Sequence, residues 1–220
     1  MKKFLSFADS KAFYLCPDAE VLFDGENGFL LFGKSDGLVN CYAKDLETAK
    51  NVVSLIPKET KLISARGEDL KTLLLEKGLS ISSNCFQFEY HLDDVDIPKS
   101  DYAVRPIGTS FLDEIFPFYH NDKEYLRHLL NKGVFLGAFD GQELLGMIGE
   151  HSRGTIGLLF VKQNYRRKGI ARLLMATKIK SILSQGRTPV LHVIDGNTAS
   201  LNLQKNMGYD LLEDRVYWLK

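Results

Sequence analysis

Hydrophobic and polar positions along this chain change period several times. Glu20 to Phe23 and Gly28 to Phe32 read as strands joined by the turn Asp24-Gly25-Glu26-Asn27. Asp45 caps a helical stretch through Ile56. Lys61 to Ala65 is strand-like, Glu68 to Lys77 is helical and stops at Gly78, and Cys85 to His91 alternates like a strand. The acidic, aperiodic run His91 to Asp101, with Pro98, reads as a linker. The expected division is therefore an N-terminal α/β domain over 1–92, a linker at 93–101 and a second domain over 102–220.

Beyond the linker, Phe111 to Tyr119 and Lys123 to Asn131 read as helices, the second opening after Asp122 and closing on Lys132-Gly133. Val134 to Phe139, Glu143 to Glu150 and Thr155 to Val161 read as a meander, with Asp140-Gly141 and Ser152-Arg153-Gly154 as tight connections. A helix follows from about Lys168 to Ser184, its apolar face formed by Ala171, Leu174, Met175, Ile179, Ile182 and Leu183. Val190 to Ile194 is a buried-type strand, Thr198 to Asn206 a helix capped by Asn197, and Arg215 to Leu219 a closing strand. Thr60 to Gly67 can be laid on Thr188 to Gly196 with one gap, and a helix and an aromatic-rich strand follow in each case. An internal duplication would produce this, as would chance, because strand, helix, strand is a common order.

Composition narrows the function classes. With 28 basic and 28 acidic residues the formal charge is zero, so no global field draws the molecule to nucleic acid or to a membrane surface. Cys16, Cys41 and Cys85 are odd in number, lack C-x-x-C spacing and have no neighbouring histidine at ligand spacing, which fits a reducing cytoplasm and no metal. The start meets charge again at Asp9 and Lys11, too soon for a signal-peptide core, and no run approaches the roughly 20 apolar residues of a membrane helix. A soluble, cytoplasmic protein is expected, either monomer or homodimer.

Against that neutral background one segment is lopsided. Lys162, Arg166, Arg167, Lys168, Arg172, Lys178, Lys180 and Arg187 are basic, and no Asp or Glu lies among them. Arg166-Arg167-Lys168 would open a helix, where the macrodipole disfavours positive side chains, and Gly169 would give up about 1 kcal/mol of helix propensity. A bound phosphate or pyrophosphate accounts for all of this; a solvated basic helix face is the plainer account.

Arg166-Arg167-Lys168-Gly169-Ile170-Ala171, following the strand Gly157 to Val161, resembles the R/Q-x-x-G-x-G/A motif of the GNAT acyltransferase superfamily, with Ala171 at the last position. Asn197-Thr198-Ala199-Ser200, in a helix ending Met207-Gly208-Tyr209, is similar to the family's N-x-x-[AS] helix. The resemblance spans roughly Tyr102 to Lys220. It implies an α+β fold built on a mostly antiparallel twisted sheet flanked by helices. The smaller N-terminal α/β domain then looks like a degenerate repeat without a CoA motif, since Asp45-Leu46-Glu47 opens its helix with acids. It further implies an acyl-CoA-dependent N-acyltransferase, with acetyl-CoA as donor and an amine as acceptor. Leu159, Phe160 and Val161, on a bulged strand, would bond the pantetheine arm, and Arg166, Arg167, Lys168, Gly169, Ile170 and Ala171 would hold the pyrophosphate. Asn197 would touch the pantetheine and Lys205 a CoA phosphate, while Tyr119 and Tyr125, on the first helices, would grip the acceptor.

An ammonium near pKa 10.4 has no lone pair, so the reaction needs a base. Glu150 and His151, at the end of a meander strand, stand where the family often keeps one; as strand neighbours they face opposite ways, and Glu150 is preferred. The family's usual tyrosine acid on the last helix is replaced by Gln204, so the thiolate is protonated by water, by Tyr209 or by Tyr217, or leaves as the anion. That departure keeps open a second reading, a non-catalytic acyl-CoA-binding or regulatory module. Nucleic-acid binding by the basic helix is disfavoured, because the basic residues are not interleaved with aromatics.

Overall fold

In the computed structural model, which describes residues 2–119 and 122–220, the turn at Gly25 closes the expected hairpin. β1 (Ala19–Gly25) pairs antiparallel with β2 (Gly28–Gly33), and Gly25 stands opposite Gly28. β3 (Leu38–Ala43), which the hydrophobic pattern did not reveal, pairs antiparallel with β2. Its residues Val39 to Ala43 are all buried, so the alternation that marks a half-exposed strand is missing. Asp45 caps α2 (Leu46–Leu55), its side chain accepting from the Thr48 amide at 2.8 Å. β4 (Leu62–Arg66) then runs parallel to β3, as a crossover helix requires. α3 (Glu68–Glu76) and β5 (Ile81–Glu89) follow. Two further elements precede β1: a 3-10 turn at Lys3–Ser6 and the seven-residue α1 (Ala8–Tyr14).

The chain forms two compact units, Met1–Glu89 with Val190–Lys220, and Tyr90–Pro189. The first therefore includes β10 (Val190–Ile194), α7 (Thr198–Met207) and β11 (Asp210–Leu219). Its strand order is β1-β2-β3-β4-β11-β5-β10. β11 pairs antiparallel with both β4 and β5, and β5 pairs antiparallel with β10. Strands from the two ends of the sequence are thus interleaved, and β5 lies between β11 and β10. Under α2 and α3 the core gathers Leu30, Val39, Val52, Leu70 and Leu219, all at 0% exposure. Each contributes about 1.5–3 kcal/mol of transfer free energy. An aromatic cluster of Phe4, Phe7, Phe13, Phe29 and Tyr42 seats the N-terminal turn and α1.

In the second unit β6 (Ala103–Pro106), β7 (Leu136–Asp140), β8 (Glu143–Glu150) and β9 (Ile156–Val161) form an antiparallel meander in that order. The helix expected over Phe111 to Tyr119 is broken into a 3-10 turn, the four-residue α4 (Leu112–Ile115) and a second 3-10 turn at Phe116–Phe118, where Pro117 removes an amide donor. α5 (Lys123–Asn131) is capped by Asp122 at 2.8 Å from the Glu124 amide. α6 (Ile170–Leu183) follows the meander, burying Ile170, Leu173, Leu174, Ile179 and Ile182. The fold is mixed α/β with mostly antiparallel strand pairing. Among the described residues no helix is long and apolar enough to cross a membrane.

Candidate active site

β9 is one residue too long for its partner. Between the Met147–Phe160 and Gly149–Gly157 pairs, Leu158 and Leu159 together face Ile148. This is the bulge that the resemblance implied, and it places Leu158 at φ +58°, a left-handed conformation that costs a leucine about 1–2 kcal/mol. Strain of this kind persists where the surroundings impose it; Leu158 packs onto the core of Ile107, Leu126, Phe135 and Met147.

From Val161 the chain passes through a 3-10 turn, Gln163–Tyr165, into the loop Arg166 to Gly169. Arg167 has φ +65°, and Gly169 has φ +81° and ψ −5°. α6 consequently begins at Ile170 rather than at Lys168: a left-handed residue cannot continue a right-handed helix, so Gly169 is the N-cap and not a first-turn residue. A Cβ at position 169 would meet no atom within 4 Å, so the dihedral, not space, demands glycine. The first helical bond runs from the Leu173 amide to the Gly169 carbonyl, at 3.0 Å. The amides before it have no intrahelical partner, the cap has no side-chain oxygen, and the first turn has no acid. Arg166, Arg167, Lys168 and Arg172 are all exposed at this end. Such a helix start is equipped for an anion.

The basic run divides into two classes. Lys162 pairs with Glu114 at 3.2 Å, Lys180 with Asp94 at 3.4 Å, and Lys178 and Arg187 both pair with Glu150. Arg167, Lys168 and Arg172, by contrast, make no ion pair with a described residue; Arg166 turns its Nε to the Val161 carbonyl at 3.1 Å. The charge left over is concentrated at the α6 N-terminus.

Glu150 is 5% exposed. Its Oε1 accepts from Lys178 Nζ at 3.3 Å and its Oε2 from Arg187 Nη2 at 2.8 Å. Lys178 also donates to the Val134 carbonyl at 2.6 Å and Arg187 to the Gly154 carbonyl at 3.0 Å. Burial pushes the Lys178 ammonium below its ordinary value, and Glu150 opposes that shift. His151 faces a different environment. Its Nδ1 lies 3.4 Å from the Tyr125 hydroxyl, whose oxygen accepts from the Ser152 amide at 3.2 Å. A Cβ on Gly157 would come within 2.4 Å of His151 Nε2, so the ring rests on the start of β9. Sequence reading named Tyr125 and His151 separately and missed their pairing. Tyr119 is half-buried against the same core, and His120 and Asn121 lie outside the described residues.

In the first unit Asn197 caps α7, its Oδ1 accepting from the Ser200 amide at 3.1 Å, and Lys205 is exposed in the last turn. Gln204 is 1% exposed, and its Oε1 has no partner among the described residues. The Tyr217 hydroxyl donates to Glu68. Burial pushes the Cys41 thiol up to about 12 and the Cys85 thiol up to about 11, which suits neither to nucleophilic work near neutral pH.

Sequence reading did not foresee a buried polar network in this unit. Arg66 ion-pairs with Asp9 and bonds Gln87, while Asn40 reaches Asp9 at 3.3 Å and His192 Nε2 lies 3.5 Å from it. Gln87 and Glu89, two apart on β5, are 0% and 4% exposed. α1 meets both: Gln87 Nε2 donates to Asp9 at 3.3 Å, and the Ala8 amide donates to Glu89 at 2.8 Å.

Residues 131–219 match the family described as FR47-like protein. A comparison with curated proteins finds no match. Among solved structures the chain is similar to a Drosophila protein, with TM-score 0.67 and 18% identity over 87% of this chain and 73% of that one. It is also similar to a GCN5-related N-acetyltransferase from Kribbella flavida, with TM-score 0.63 and 13% identity over 97% and 95%. A third is a tandem GNAT protein from the clavulanic acid biosynthesis pathway, with TM-score 0.52 and 10% identity over 92% and 83%. These are likenesses of fold. The family match, for its part, is to residues 131–219 alone.

Proposed function

We propose that the protein is a cytoplasmic acyl-CoA-dependent N-acyltransferase that moves acetyl from acetyl-CoA to a primary amine. The observation that carries this reading is the sequence of backbone states from the Leu158 bulge to Gly169. A strand with its ladder interrupted leads into a left-handed, basic loop and an uncapped, uncompensated helix start. Leu159, Phe160 and Val161 offer main-chain groups to the pantetheine arm, and Arg166 to Ala171 offer amides and charge to the pyrophosphate. The assignments of Asn197, Lys205 and Tyr119 rest on the resemblance.

We read His151, rather than the Glu150 preferred from the sequence, as the base. Both oxygens of Glu150 are engaged by cations, so proton uptake there would leave Lys178 and Arg187 without their counter-ion. In the tautomer whose Nδ1–H donates to the Tyr125 oxygen, Nε2 is the basic nitrogen, and Tyr125 is a positioning residue. The ammonium gives a proton to His151, and the neutral amine attacks the thioester carbonyl. As the C–N bond forms the C–S bond breaks, CoA leaves as the thiolate, and the surplus proton on nitrogen reaches it through water. Residues 102–220 carry this chemistry. Residues 1–92 form a degenerate GNAT-like repeat that binds no CoA, a reading supported by the unbroken ladder between β3 and β4 from Leu38–Leu62 to Tyr42–Arg66.

The test is thiol release from acetyl-CoA against pooled primary amines. Release is expected to disappear in Arg166→Glu/Gly169→Glu and to fall about a hundredfold or more in His151→Asn. Gln204 favours a second reading, a non-catalytic acetyl-CoA-binding module, because a buried amide cannot supply a proton to the leaving thiolate. Calorimetric acetyl-CoA binding without thiol release would select that reading. No binding at all would overturn both.

A further inference from the structure

A cavity of about 500 Å³ opens beside the ends of α2 and α3 in the first unit. Its walls are apolar: Val53, Ile56, Ile63, Leu74, Leu79 and Leu219. Several of these belong to the core beneath α2 and α3, so the cavity reaches from solvent down to that core. The volume falls in the range of ordinary small-molecule sites.

The charged side chains in the lining share one sign. Lys61, Lys77 and Lys220 contribute to it, no aspartate or glutamate does, and none of the three lysines makes an ion pair with a described residue. The carbonyl ends of α2 and α3 bring roughly half a negative charge each, which the Lys61 and Lys77 ammonium groups outweigh. Thr60 also lines the cavity, and its hydroxyl is buried with no hydrogen-bond partner among the described residues. An unmade bond at a buried hydroxyl is costly and calls for an acceptor or a water.

We propose that this cavity binds an amphipathic monoanion, a medium-chain aliphatic carboxylate being the simplest member of the class. The tail would lie along Ile56, Ile63 and Leu79. The carboxylate would meet the lysines and accept the Thr60 hydroxyl proton as a hydrogen bond. None of these residues belongs to the proposed acyl-transfer machinery, so this site and that reading stand or fall separately.

The probe is octanoate, titrated into the full-length protein and followed by amide chemical shifts and calorimetry. Octanol and octylamine carry the same tail with no charge and with the opposite charge. Saturable shifts at Val53, Ile56, Thr60 and Leu79 are expected with octanoate, weaker ones with octanol, and none with octylamine. Lys61→Glu/Lys77→Glu should weaken octanoate on the order of tenfold. Thr60→Val gives two readouts of opposite sign. It should raise the melting temperature of the ligand-free protein by deleting an unpaired buried hydroxyl, and weaken octanoate roughly three- to tenfold. Octylamine binding as tightly as octanoate would overturn the proposal. So would octanoate affinity unchanged in both variants, or the absence of shifts at these amides.

Discussion

Arg66 and Asp9 give the sharpest energetic prediction. Their side chains are 0% and 3% exposed, so Arg66→Met leaves a buried carboxylate without its main counter-ion. Losing one partner of a buried pair costs about 3–5 kcal/mol. The lower part of that range is expected here, because Asp9 keeps Asn40 and Gln87 as donors at 3.3 Å and His192 at 3.5 Å. Asp9→Asn alone strands the Arg66 cation in the same way. The double variant buries neither charge, so its loss should be well short of the sum, with a coupling of about 2 kcal/mol or more. Urea unfolding followed by fluorescence suits the measurement: the chain's one tryptophan, Trp218, has its ring 5.8 Å from that of His192. Strictly additive losses would refute the pairing. pH supplies a second check. Burial by itself would raise the Asp9 carboxyl, but Arg66 and then His192 overcome it and hold it well below the usual carboxylate range. A depressed folded value stabilises above the unfolded value of about 3.9 and is lost as pH falls below it. The wild type should therefore lose stability more steeply on acidification than Asp9→Asn.

Three further outcomes test the site. Gly157→Ala would put a methyl within 2.4 Å of His151 Nε2 and swing the ring off Tyr125; kcat should fall at least tenfold while the melting temperature moves by only a few degrees. Gly169→Ala forces a Cβ to φ +81°, at about 1–2 kcal/mol, with no atom within 4 Å of it; acetyl-CoA affinity by calorimetry should fall about tenfold, and an unchanged Kd would detach the loop from the ligand. Glu150→Gln should cost about 3 kcal/mol by leaving Lys178 and Arg187 unpaired, yet preserve the ionisation seen in the pH–rate profile. Loss of that ionisation with stability intact would instead make Glu150 the base.

What could be read from the sequence depended on how local the cause was. Glu143–Glu150, Val190–Ile194 and Lys123–Asn131 have the bounds their turn residues and caps implied. The basic loop at Arg166–Gly169 was legible for the same reason, since its charges and glycine are contiguous. β3 was not, because burial on both faces erases its alternation. α1 was missed because a helix that short is held by Asp9 and the aromatic cluster rather than by propensity. The Glu150 triad joins residues 150, 178 and 187, and the His151 pair joins 151 and 125. No spacing rule connects such positions; packing alone brings them together.

The placement of β5 between β10 and β11 has a consequence for how the molecule comes into being. A growing chain completes β4 and β5 early, yet their neighbours at 210–219 are made only after the second unit has been synthesised. Until then β5 presents unpaired amides and carbonyls to its surroundings, the condition under which nascent sheets pair wrongly. Chaperone dependence during translation should accordingly be concentrated in this strand. Gene fragments cut at the linker should give two insoluble pieces that regain structure only when refolded together.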